Sequence, residues 1–172
     1  MRQISLAGLL GRTLAFRNPL AHGQEFGSPE FAVTEVYSGP VQLPDFRRRD
    51  RKYNSYRTRL TEAAKKGTNF AGRYRILQIG CGTGCTNNFI IDVATGEVFE
   101  VPVGGEDQQQ VVLKYDIGSR LLFAFYKVYK GIDPDKFECI EKRLAWTKRA
   151  FSLQAEMTMP DHSVCDFIVG ND

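Results

Sequence analysis

Two hydrophobic rhythms divide this chain. From Arg51 to Lys66 the apolar residues Tyr53, Tyr56, Leu60, Ala63 and Ala64 recur at three- and four-residue spacing. That period lines one face of a helix, so the spacing predicts a helix over 51–66. Asp45 or Asp50 stands where its N-cap belongs. Lys65 and Lys66 followed by Gly67 suit its C-terminus, with cations at the negative end of the dipole and glycine for a left-handed cap.

After Gly67 the rhythm shortens to that of strands. Residues 74–79 are rich in β-formers. Three hairpins follow, each a pair of apolar runs around a turn. The first pairs 89–93 with 98–101 across 94–97. The second pairs 111–115 with 121–126 across 116–119. The third pairs 143–147 with 150–154 across Lys148 and Arg149. Residues 164–169 suit a last strand. Residues 33–43 are extended and apolar, with Gly39-Pro40 as a turn, and 104–110 and 131–135 read as loops. Short strands joined by tight turns make an antiparallel meander. The expected fold is therefore α+β: one N-terminal helix packed on an antiparallel sheet of about six to eight strands. No internal repeat is strong enough to indicate a propeller or solenoid.

At 172 residues, 42% hydrophobic and 25% charged, the chain suits one globular domain with a core of its own. No apolar run approaches the roughly 18 residues of a membrane span. Residues 4–10 form a short apolar run behind Arg2, at the lower limit for a secretory signal. Residues 25–31 (EFGSPEF) look like translated cloning sites. Residues 1–31 are accordingly read as part signal remnant and part vector-derived, and the domain as 32–172.

The glycine segment Ile76 to Gly84 (ILQIGCGTG) has the look of the first motif of S-adenosylmethionine-dependent methyltransferases. That motif needs a helix directly after its glycines and an acidic residue about 20 positions on. After Gly84 come Thr86, Asn87 and Asn88, then the β-branched Ile90 and Ile91, then Gly96. These are poor helix formers, and Asp92 lies too close to serve as the ribose carboxylate. The segment reads instead as a turn between two cysteines.

The four cysteines are Cys81, Cys85, Cys139 and Cys165. An even count permits two disulfides in any of three pairings, and disulfides would imply an oxidising compartment. A tight turn through Gly82 and Gly84 brings Cys81 and Cys85 within bonding range, and Cys139 with Cys165 closes a longer span. The competing chemistry is weaker. Redox catalysis favours two intervening residues at a helix N-terminus, where this pair has three and no helix. A metal site wants histidine beside the thiolates, and the only histidines are His22 and His162.

Three segments together carry a resemblance: Asn69 to Tyr74 (NFAGRY), Gly80 to Cys85 (GCGTGC) and Ile91 to Val98 (IDVATGEV). With Tyr115 to Leu122, the stretch from Trp146 to Leu153 and the preceding helix, they resemble an uncharacterised family of small exported bacterial proteins over about residues 33 to 155. The resemblance implies a periplasmic or secreted location, in which Cys81 and Cys85 would be oxidised. It implies no activity.

Charge is segregated along the chain. The net charge is +3, yet residues 45–66 hold nine basic and three acidic side chains. Arg47, Arg48, Arg49 and Arg51, with Arg57 and Arg59 beyond, are candidate contacts for an acidic partner. Tyr53 and Tyr56 beside them would suit nucleic acid, but an exported protein points to a protein surface. The loop 104–110, with Glu106 and Asp107, is a second candidate, since loops on a rigid sheet often carry function. No nucleophile–base–acid set is evident. The expected function is that of an exported, non-enzymatic protein-binding protein, an inhibitor or immunity protein against an envelope enzyme or toxin, with no cofactor, no metal and no nucleic acid. The alternative is an enzyme, either a divergent methyltransferase or a thiol-redox protein using Cys81 and Cys85.

Overall fold

A computed structural model describes residues 28–131, 133 and 135–160. The expectations placed on His22, His162, Cys165 and the strand 164–169 lie outside the described residues.

The helix predicted over 51–66 forms in two parts. A 3₁₀ turn at Arg51–Tyr56 leads into α1 at Arg57–Lys65. Tyr53, Asn54, Ser55 and Tyr56 are middling helix formers, and a tertiary tie holds their entry. The carboxylate of Asp50, 1% exposed, accepts hydrogen bonds from the Asp45 N–H at 2.9 Å and the Val98 N–H at 3.1 Å. Asp50 thus occupies the N-cap position of the turn, as the sequence placed it, but its side chain makes no capping bond to the turn or to α1. Asp45 serves a local turn, accepting from the N–H groups of Arg47 and Arg48. The C-terminus is as predicted: Gly67 takes φ +75° and donates to the Ala64 carbonyl at 3.0 Å.

Seven strands follow: β1 (Tyr74–Gly82), β2 (Cys85–Asp92), β3 (Val98–Glu100), β4 (Gln109–Tyr115), β5 (Leu121–Tyr129), β6 (Phe137–Trp146) and β7 (Phe151–Thr158). The three predicted hairpins are present as β2–β3, β4–β5 and β6–β7, all antiparallel. They do not form one meander. β1-β2-β3 make one sheet and β4-β5-β6-β7 another. The sequence contains the reason. β1 and β2 carry apolar residues at adjacent positions (Ile76 and Leu77; Phe89, Ile90 and Ile91), so both faces of the first sheet need cover, which a single sheet with one helix cannot supply.

The result is three layers. Tyr53, Leu60, Ala63 and Ala64 pack on Ile79, Phe89, Ile91 and Val98, which places the helical segment on one face of the first sheet. Tyr74, Ile76 and Ile90 on the opposite face meet Leu113, Leu122, Ala124, Tyr126, Ile140 and Leu144 of the second sheet. Trp146, the single tryptophan, is 1% exposed there, with ring centroids 5.2 Å from Tyr74, 5.3 Å from Phe99 and 4.8 Å from Phe151. On the far face of the second sheet Leu121, Phe123 and Phe125 are buried and Phe31 packs against them.

Residues 33–43 are a strap rather than a strand. The N–H groups of Val33, Tyr37 and Gln42 donate to Gly118, Gly72 and Val93. Val36, Val41 and Leu43 remain exposed.

Candidate functional site

The segment 80–85 closes the β1–β2 hairpin. Cys81 and Cys85 form a disulfide with their Cα atoms 5.2 Å apart. Cys85 opens β2, so no helix follows Gly84 and no strand–glycine–helix unit forms. The Gly84 carbonyl accepts from the Gln110 N–H at 2.6 Å, docking the hairpin tip onto the second sheet. Cys139 is buried and also disulfide-bonded.

The segments 69–74 and 91–98 are structural as well. Asn69 grips β1, accepting from the Ile76 N–H at 2.7 Å and donating to the Ile76 carbonyl at 3.1 Å. Phe70 is fully buried between Tyr115 and Phe151. Asp92, nearly buried, holds the guanidinium of Arg73 through two bonds of 2.8 Å and accepts from the Ala94 N–H of the next turn. That fork raises the pKa of Arg73.

The basic segment lies on the outer layer and its members divide by partner. Arg49 bonds to Asp50 at 2.9 Å and to the Thr95 carbonyl at 3.2 Å; the Asp50 bond raises its pKa, and the side chain works as a brace. Lys52 pairs with Glu100 at 3.3 Å and sits 4.6 Å from the centroid of the Tyr53 ring. Its hydrogen bond to Tyr53, and then that to Glu100, raise its pKa, whereas burial raises that of the Tyr53 phenol. Arg47, Arg48, Arg51, Arg57 and Arg59 are exposed, and their side chains make no ion pair or hydrogen bond among the described residues.

Two clefts flank this segment. The larger, about 510 Å³, runs between 44–47 and the outward face of the helical segment. Arg47, Asn54, Arg57, Thr58 and Thr61 line it, with Asp45 and Glu62. The second, about 420 Å³, opens on the other side, between Lys52, Tyr53 and Tyr56 and the backbone of Gly104 and Gly105, with Asn87 and Asn88 of β2. Asn87 donates to the Tyr56 hydroxyl at 2.9 Å, and Asn88, 3% exposed, donates to the Val103 carbonyl at 2.7 Å.

Glu106 and Asp107 are exposed just beyond Gly105 and line neither cleft. Of the two sequence candidates, the second cleft therefore takes only Lys52 among the basic side chains of the segment, and Gly104 and Gly105 from the loop. Asn54, Thr58 and Thr61 escaped the sequence reading, although their spacing of four and three residues marks one polar helix face. Asn87 and Asn88 gave no comparable signal, because the sequence marked 104–110 as a loop without showing that it approaches β2. No helix among the described residues is long and apolar enough to cross a membrane. Comparisons with protein-family models, curated proteins and solved structures return no match to this chain.

Proposed function

We propose that this is an exported binding protein that recognises an acidic surface on another protein, in the manner of an inhibitor or immunity protein against an envelope enzyme or toxin. One observation carries the reading. Five arginines, Arg47, Arg48, Arg51, Arg57 and Arg59, stand exposed and unneutralised on one segment, and Asp50 ties that segment rigidly to the first sheet. Concentrated charge of one sign steers and selects an oppositely charged partner, and a rigid mount keeps the ordering cost of binding low. Export is supported by the oxidised cysteines and by the family resemblance.

The test is capture of partners from an envelope extract by the tagged protein and by the variant Arg48→Glu/Arg51→Glu/Arg59→Glu. The expected result is an acidic protein retained by the parent, lost in the variant and released by moderate salt. Retention indifferent to both charge reversal and salt would overturn the reading, as would a turnover activity abolished by Cys81→Ser in a folded protein.

A further inference from the structure

The larger cleft carries equal numbers of acids and arginines, and they differ in whether they have partners. Two acids line it, and both already have partners: Asp45 accepts the N–H groups of Arg47 and Arg48, at 3.1 and 3.2 Å, and Glu62 pairs with Lys65 at 2.8 Å. Its two arginines, Arg47 and Arg57, have none. Between them the wall carries Asn54, Thr58 and Thr61, whose side chains are neutral and able to donate hydrogen bonds. The site therefore offers unengaged donors and cations around a concavity.

We infer that this cleft receives an acidic side chain of the protein partner, with Arg47 and Arg57 holding the carboxylate and Asn54, Thr58 and Thr61 fixing its orientation. This rests on the function proposed above and locates its anchor. Arg48, Arg51 and Arg59 supply the surrounding field, and the cleft supplies the specific contact. A guanidinium fork matches a carboxylate in shape as well as charge. About 510 Å³ is ample for one acidic side chain and the backbone around it.

The experiment compares two double variants of equal net charge, Arg47→Ala/Arg57→Ala inside the cleft and Arg48→Ala/Arg59→Ala outside it. A third variant, Asn54→Leu/Thr61→Val, leaves charge unchanged. Binding of a labelled peptide of alternating glutamate and glycine is read by fluorescence anisotropy, with far-UV circular dichroism confirming each fold. The cleft pair is expected to lose about tenfold or more in affinity, as engaged charge pairs do. The outer pair should lose roughly threefold or less, as charges outside the contact do, and the neutral variant a measurable part of the cleft effect. Equal losses from the two pairs would overturn the cleft as anchor and leave the basic surface standing. No loss from either would overturn both. Preferential binding of inorganic phosphate or of a single-stranded oligonucleotide over the glutamate peptide would also overturn the assignment.

Discussion

Asp50 and Arg47 lie three positions apart and have opposite duties. Asp50 is buried and serves two backbone N–H groups and Arg49. Asp50→Ala strands those donors and is expected to cost about 2–4 kcal/mol in urea denaturation. Arg47→Ala touches no internal partner and should stay within about 0.5 kcal/mol. Gly96 marks a third duty. It adopts φ +74°, and an added Cβ would run into the Leu43 carbonyl. Gly96→Ala is therefore expected to cost about 2 kcal/mol or more, because strain and the displaced strap act together; the same denaturation curve reads it. Sequence placed Asp50 at a cap position and Gly96 in a turn. It did not show their distant partners Val98 and Leu43, because those contacts join segments about fifty residues apart.

Among the elements, the β1–β2 hairpin is the one whose sequence suggested an enzyme. Its two glycines permit the turn, and its disulfide closes a very small ring. Loop-closure entropy for so short a ring stabilises by only about 2 kcal/mol. Replacing both cysteines, Cys81→Ala/Cys85→Ala, is expected to lower stability by about that amount or less with far-UV circular dichroism unchanged. Backbone amide exchange should quicken at residues 79–87 and not in β5 or β6. The hairpins β2–β3, β4–β5 and β6–β7 were readable from the chain because each is a local event: two apolar runs and a turn. The division of the 51–66 helix was not, since its period continues through both parts and only the buried Asp50 tie distinguishes them.

For the whole molecule, the decisive feature is the packing of one sheet on the other. Phe70, Trp146 and Phe151 join segments from both ends of the domain. Tyr115, beside Phe70 and accepting a hydrogen bond from Asn69, has its pKa raised by burial, as does Tyr53 on the inner face of the helical segment. The sign follows from linkage. Both phenols ionise more readily in the unfolded chain, at about pH 10, so their contribution is intact below that pH and is lost as pH rises above it. Stability should accordingly fall above about pH 10, and Tyr115→Phe should flatten that fall, measured by Trp146 fluorescence during denaturation at stepped pH.

The chain alone established the strands, the three hairpins, the helical face, the cysteine pair and the concentrated basic charge, because each depends on neighbours within a few residues. Adjacent apolar positions in β1 and β2 asked for cover on both faces, but what covers each face came from the fold, since one apolar run looks the same whichever surface covers it. The separation of Arg49, which braces Asp50 and the Thr95 carbonyl, from the exposed arginines did too, because a charge acquires its role from partners that only long-range packing brings within reach.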